Sequence, residues 1–315
     1  MQFAATQCET VFSMNLQINQ AQEPLELLAT AVNWLLQGKR IALITLVEIE
    51  GNAPYPVGTQ MLVDEKGNFT GQITGGCAET SIALQAVDII ANGENKIQRY
   101  GLNSPFFDIQ LPCGSGIDVF FDVDTGLEEY KKLLKKTLDR QVASQRLSLG
   151  PLSFTKSYQP NRRLIVFGQG PIVAALSKMA QHLGYEVVCI AQNTDTQQEL
   201  DRLKFVSTLL NDSINFAPLC DEFTALVSLF HEHEHETTIL KTAVSTPLFF
   251  IGALGSQRTH QTRLESLANA GVDESQLARI IGPVGSDIGA TTPMQIAVSI
   301  VSQLIEVANQ AEHGV

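Results

Sequence analysis

The chain has 315 residues, 44% of them hydrophobic, which is more than one domain of ordinary size holds, so two globular domains with real cores are expected. Its 33 acidic residues against 21 basic ones give a net charge of −12 with no basic run, which argues against nucleic acid or an anionic membrane as partner. The N-terminus MQFAATQCETVFSMNLQINQAQ has neither a basic leader nor the apolar core of a secretory signal, and the expectation is a cytoplasmic protein with no membrane span.

A helix is predicted within EPLELLATAVNWLLQGKR, with Leu25, Leu28, Ala31, Val32, Leu35 and Leu36 on one face and Gly38 as its stop. IALITLVEI (41–49) is a strand that runs into the turn-rich GNAPYPVG, and TQMLVD and FTGQI flank an EKGN turn. This region reads as a small mixed sheet with an edge hairpin. From Cys77 to Asn92 the pattern is helical, with Ala78, Ile82, Leu84, Ala86, Val87, Ile89 and Ile90 as its apolar positions. Strands near IQRY and IDVFFDV follow, then the charged helix LEEYKKLLKKTLDRQ (127–141), and SFTKSYQPNRR (153–163) reads as a linker or outer hairpin. The first domain is placed at 20–150 and the second at 160–310.

The second half alternates strands with helices, as a parallel doubly wound sheet requires. RLIVFGQG (163–170), YEVVCIAQ (185–192), ALVSLF (225–230) and PLFFIGALG (247–255) are its strands, and PIVAALSKMAQHLG (171–184) is its first helix. Ser256 or Thr259 can cap the helix after the fourth of these strands, and Thr291 or Thr292 ahead of Pro293 signals the start of the closing helix.

Six stretches carry chemistry. In FGQGPIV, Gly168 and Gly170 follow a strand and open a helix, where backbone N–H groups can hold a phosphate; an α/β turn that needs glycine only for its backbone explains them equally. Val173 at the third small position and Gln192 at the end of the second strand argue against NAD(P). Cys77 follows Gly75 and Gly76, and Cys113 precedes CGSG glycines. Either the two thiols converge on a soft metal or metal–sulfur centre, or both are small residues in tight corners. No C-x-x-C occurs, so a structural zinc site is not expected.

His231, His233 and His235 in HEHEHE follow a strand, at alternate positions, at the edge where α/β sheets collect ligands. They make either a divalent metal site or a solvated loop. Arg258 and Arg263, after FIGALGSQ, can pair with an anion, and GPVGSDIG carries Gly285 and Asp287 in a second glycine loop. The five cysteines, Cys8, Cys77, Cys113, Cys189 and Cys220, are odd in number and scattered, so thiols are expected, with Cys189 and Cys220 in the core. No G-x-S-x-G, H-E-x-x-H or G-x-x-x-x-G-K-[ST] is present, and hydrolase and P-loop readings rank low.

Taken in order, EGNAPYPVGTQMLV, GQITGGCAE and CGSGIDV, then VFGQGPIVAAL, HEHE, FIGALGSQRTHQTRLESLANAGV and PVGSDIGATTPMQIAVSIVSQLI, make the chain similar to the XdhC/CoxI family over nearly its whole length. That family comprises accessory proteins of xanthine dehydrogenase and related molybdenum hydroxylases. The resemblance implies a small mixed α/β N-terminal domain followed by a Rossmann-like doubly wound domain. It also implies a cytoplasmic, dimeric chaperone, a maturation factor more than a turnover enzyme. Such a protein would bind and protect the molybdenum cofactor (molybdopterin), support its sulfuration with a cysteine desulfurase, and hand it to the apo molybdenum hydroxylase.

Carried over, the resemblance makes Cys77 and Cys113 candidates for the cofactor's molybdenum, with Gly75 and Gly76 beside them. Gly168, Gly170, Arg258, Gly285 and Asp287 become candidates for its pterin and phosphate, in a cleft between the domains, and His231 and His233 remain candidate metal ligands. Val173, Gln192, Phe230 and Ser115 depart from the family pattern, which weakens any nucleotide-linked activity. Two other classes stay open: an NAD(P)-dependent oxidoreductase using the Rossmann domain, and a metal- or thiol-based redox protein.

Overall fold

A computed structural model describes residues 24–105, 114–230 and 235–313. The chain divides between Pro160 and Asn161 into two units. In the first, α1 (Pro24–Leu36) leads into β1 (Ile41–Glu50), β2 (Gln60–Asp64) and β3 (Phe69–Gly71). After α2 (Glu79–Asn92) come β4 (Lys96–Gly101), β5 (Gly116–Asp122), α3 (Leu127–Leu138), β6 (Ala143–Leu149) and β7 (Leu152–Tyr158).

The main sheet has the order β3-β2-β1-β5-β4, and every neighbouring pair is antiparallel. This corrects the mixed sheet expected from sequence. The Gly51–Gly58 turn and the EKGN turn return the chain directly, so no parallel crossover is needed between β1, β2 and β3. β1 is central and reads as a continuous apolar run because both of its faces are covered. Ala42, Ile44 and Leu46 pack with Ile82, Ala86 and Ile89 of α2. Ile41 and Leu43 pack with Leu28 and Trp34 of α1 and with Tyr130 of α3. Each Leu or Ile side chain among these, fully buried, stabilises by roughly 1.5–3 kcal/mol. The β6–β7 hairpin lies on this second face, where Leu147 meets Val47 and Phe120.

Two faces differ from the expected ones. α1 buries Leu27, Leu28, Ala31 and Trp34 and leaves Leu36 55% exposed, because it is wedged between α3 and β2 and is rotated by about one position. In α2, Leu84 is 66% exposed; the buried stripe runs through Ile82, Ala86, Ile89 and Ile90.

The second unit contains β8 (Arg163–Gly168), α4 (Pro171–His182), β9 (Glu186–Ala191), α5 (Thr194–Arg202), β10 (Val206–Leu209) and β11 (Thr224–Leu229). It continues with α6 (Glu236–Val244), β12 (Phe250–Ala253), α7 (Gln257–Asn269), α8 (Glu274–Leu277), β13 (Ile280–Ile281) and α9 (Pro293–His313). Its sheet is parallel in the order β10-β9-β8-β11-β12-β13. Renumbered within the unit, that order is 3-2-1-4-5-6, the doubly wound dinucleotide-binding arrangement. Leu164 and Val166 pack with Leu176 of α4 and Ile300 of α9. Ile165 and Phe167, on the opposite face, pack with Leu240 of α6 and Leu267 of α7. The strand order reverses between β8 and β11, which sets their carboxyl ends as the crevice where such sheets collect ligands.

Candidate functional site

In the first unit, residues 72–78 leave β3 and enter α2. The helix begins at Glu79, two residues later than expected, and Cys77 stands exposed on the preceding loop. Gly75 and Gly76 have φ of +74° and +102°, conformations that an L side chain adopts only at a cost of roughly 1–2 kcal/mol. The loop is organised around Glu79, whose residue is 4% exposed. Glu79 Oε1 accepts from the N–H groups of Ile73 (3.0 Å) and Thr74 (2.7 Å). Oε2 accepts from Thr74 Oγ1 (2.7 Å), Gly76 N–H (2.9 Å) and Ala78 N–H (3.3 Å). Burial pushes the Glu79 pKa up, but these donors, Thr74 first, outweigh it and hold the carboxyl below its ordinary value.

The turn-rich loop between β1 and β2 lies against this one. A Cβ on Gly75 would lie 3.8 Å from Pro54 Cγ and 3.9 Å from Tyr55 Cε2. Tyr55 Oη donates to Gln72 Oε1 at 3.0 Å. At its other end, a Cβ on Gly51 would lie 3.4 Å from Ser115 Cβ, and Ser115 is 1% exposed. The loop from Gly51 to Gly58 is therefore shared by the Cys77 loop and by the stretch that follows Cys113. Cys113 itself lies outside the described residues, as do His231 and His233. Gln72 also lines a groove of about 560 Å³ with Trp34, Lys39, Asn68 and Phe69.

In the second unit, the candidates follow the carboxyl ends of strands. Gly168 ends β8, with φ +144°, where a Cβ would lie 2.8 Å from both Cβ and O of Leu229. Its glycine is required by the close approach of β11. Gly170 has φ +82°, and its N–H donates to Thr196 Oγ1 at 2.9 Å. Asn193 caps α5 through its side chain and donates to Gln169 Oε1 at 2.7 Å. The chain's own hydroxyl and amides thus occupy part of the glycine turn. Val173 is fully buried in the core under α4, and Gln192 Oε1 is buried without a partner among the described residues.

Arg258 is exposed in the first turn of α7, whose N-cap is Ser256. Gly285 has φ +109°, and a Cβ there would meet Ser299 Oγ; its N–H donates to Gln303 Oε1 at 2.8 Å, so α9 already uses this loop. Asp287 is exposed beside it. Arg263, offered by sequence as an anion partner, is instead buried against Glu236, with Nε 3.1 Å from Oε2. Ser228 Oγ donates to Glu236 Oε1 at 2.6 Å, and Arg263 Nη2 donates to Leu254 O at 2.6 Å. This network ties the start of α6 to the ends of β11 and β12.

Cys189 is buried beside Ser177, Sγ to Oγ 3.2 Å. Cys220, expected in the core, is only partly buried, because it sits in the irregular connection ahead of β11. Among the described residues, no group of three or more His, Cys, Asp or Glu could hold a metal ion, and no helix is long and apolar enough to cross a membrane. Sequence reasoning passed over Glu79 and Tyr55. The one available signal was an acidic residue opening a helix after a glycine turn.

The family described as the XdhC Rossmann domain matches residues 164–304, and the XdhC and CoxI family matches residues 34–101. The molybdenum cofactor insertion chaperone PaoD of Escherichia coli (strain K12) is 29% identical over 297 residues, covering 89% of this chain and 87% of that protein. A protein of Bacillus subtilis (strain 168) named as a probable xanthine dehydrogenase component is 24% identical, covering 88% of this chain and 96% of that one. A crystal structure of a xanthine dehydrogenase from Bacillus halodurans shares the fold, with a TM-score of 0.73 at 22% identity, over 91% of this chain and 96% of that one.

Proposed function

The chain belongs to the XdhC and CoxI family, and on that premise we propose that it is a chaperone for the molybdenum cofactor. It would hold the cofactor, support its sulfuration with a cysteine desulfurase, and pass it as a homodimer to an apo molybdenum hydroxylase of the xanthine dehydrogenase type. The likeness to a molybdenum cofactor insertion chaperone supports this reading. The observation that carries it is Cys77, exposed on a loop directly after two glycines of positive φ.

A thiolate is a soft donor suited to the metal–dithiolene end of the cofactor. Gly75 and Gly76 let backbone come close to it, and the shared loop at Gly51–Gly58 supports a role for Cys113 beside Cys77. For the pterin and phosphate, the second unit offers Gly168, Gly170, Arg258, Gly285 and Asp287 at one sheet edge, with His231 and His233 following β11. Exposed Arg258 is the cation in this set. The N–H groups of Gly170 and Gly285 already have acceptors, so they would have to exchange partners to serve a ligand.

Pterin and molybdenum per chain, assayed in protein from a molybdenum-sufficient host, test the proposal. The parent is expected to carry both and Cys77→Ala to lose them with its fold intact; equal retention in the two overturns the role of Cys77. The strand order favours a second reading, NAD(P)-dependent oxidation. The occupied glycine turn and Gln192 weigh against it, and tight NADH binding in a fluorescence titration would restore it.

A further inference from the structure

Glu79 is the first residue of α2, yet it does not cap that helix. A capping side chain accepts from the second or third amide inside its helix. Here the N-cap, Ala78, makes no side-chain bond, and the Glu79 carboxylate turns back to Ile73, Thr74, Gly76 and Ala78. All four amides precede the helix and surround Cys77 on both sides in sequence. Thr74 Oγ1 completes the ring, donating to Oε2 and accepting from Ala78 N–H at 2.9 Å.

A carboxylate offers about four lone-pair sites, and this one spends them on a single loop. The positive φ of Gly75 and Gly76 lets the chain curl around one residue's oxygens while Cys77 points away, exposed. Without the carboxylate, the N–H groups of Ile73, Thr74 and Gly76 would lose their acceptor, the first two of them buried, while Ala78 N–H would keep Thr74 Oγ1; the loop escapes that cost only by opening.

We infer that Glu79 is a positioning residue that templates the 73–78 loop and fixes where the Cys77 thiol is presented. The inference rests on the cofactor-holding role of Cys77 proposed above, but its direct readout does not. A Gln side chain has the same shape but presents an NH2 group to amides that need an acceptor, so Glu79→Gln breaks one side of the ring without removing volume. Thr74→Val removes the hydroxyl bridge alone and serves as a milder second variant should Glu79→Gln fail to fold.

The test alkylates the full-length parent, Glu79→Gln, Thr74→Val and Cys77→Ala with iodoacetamide at neutral pH, follows Cys77 and Cys189 separately by peptide mass spectrometry, and assays pterin and molybdenum in parallel. Buried Cys189 lies in the second unit and reports unfolding there alone, so amide hydrogen exchange in β1 and β2 is followed beside it to report unfolding of the first unit, which a merely structural defect would also expose. The expected result for Glu79→Gln is Cys77 labelling faster by several-fold with the β1 and β2 amides and Cys189 still protected. Cofactor retention should fall by about 10-fold or more, the range seen when partners that orient metal ligands are removed.

Parent-like Cys77 labelling in Glu79→Gln, or in Thr74→Val if only that variant folds, overturns the positioning role. Cys77 labelling that rises together with amide exchange in β1 and β2 also overturns it, since Glu79 then only stabilises the first unit. If Cys77→Ala keeps the cofactor while Glu79→Gln still changes Cys77 labelling, the proposed cofactor role of Cys77 has failed and the templating of its loop stands.

Discussion

The guanidinium of Arg263 and the carboxylate of Glu236 meet at 3.1 Å with side chains 2% and 1% exposed, 27 residues apart in sequence. Removing Arg263 takes from the buried Glu236 carboxylate its opposite charge, and breaking a buried pair in this way costs about 3–5 kcal/mol. Arg263→Met is therefore expected to lower the unfolding free energy of the second unit, read from denaturant melts, by that amount. The double variant Arg263→Met, Glu236→Met should recover much of the loss, because the pair itself repays little beyond its desolvation. A double variant as unstable as the single would mean that the pair contributes net attraction.

Gly168 and Gly170 make different demands although both have positive φ. At Gly168 a side chain meets Leu229 at 2.8 Å, whereas at Gly170 nothing lies within 4 Å. Gly168→Ala should cost about 1–3 kcal/mol more than Gly170→Ala, the range for forcing an extra carbon into a packed core. Thermal melts of the two variants compare them directly. Equal losses would show that backbone conformation, and not the approach of β11, selects glycine at 168.

Thiol chemistry separates the cysteines. Cys189 is fully buried, and burial, opposed by the Ser177 hydrogen bond, pushes its pKa up to about 11. Since the thiolate is the reactive form, Cys189 should stay unlabelled by iodoacetamide in the folded protein and react only after denaturant is added. Cys77, exposed on its loop, should be labelled ahead of Cys189. Labelling of Cys189 ahead of Cys77 would contradict the loop as described.

What sequence could and could not reveal follows from the range of the forces. The four inner strands of the second unit, β9, β8, β11 and β12, were legible because a parallel sheet buries both their faces, which leaves apolar runs such as Leu164–Phe167 ending in glycine, whereas the short edge strands β10 and β13 were not read. The caps at Ser256 and Thr292 are local signals and lie where expected. The orientation of α1 was not legible: Trp34 and Leu36 are both apolar, and only the position of α3 decides which one is buried. Exposed Cys77 could be suspected from its glycines, but its support by Glu79 could not, because Ala-Glu opening a helix reads as ordinary helix-start chemistry. Arg263 misled for a related reason: a cation near a glycine turn looks free until the fold brings Glu236 to it.

Acid should destabilise the first unit. Burial pushes the pKa of Glu79 up, but hydrogen bonds from Thr74 and Ile73 bring it below its ordinary value; Asp64 is held low in the same way by Asn68 and Lys39. A carboxyl whose folded pKa lies below its unfolded one binds fewer protons when folded, so stability falls as the pH falls. The contribution is fully present above the unfolded values, about 4 for these groups, and is lost as the pH drops through the lowered folded ones. Urea melts at stepped pH, with hydrogen exchange followed at Thr74, Gly76 and Ala78, should show these amides losing protection below about pH 4, and Glu79→Gln should remove that dependence at the loop. Protection that does not change with pH in the parent would mean that the carboxylate, although surrounded by donors, does not hold the loop closed.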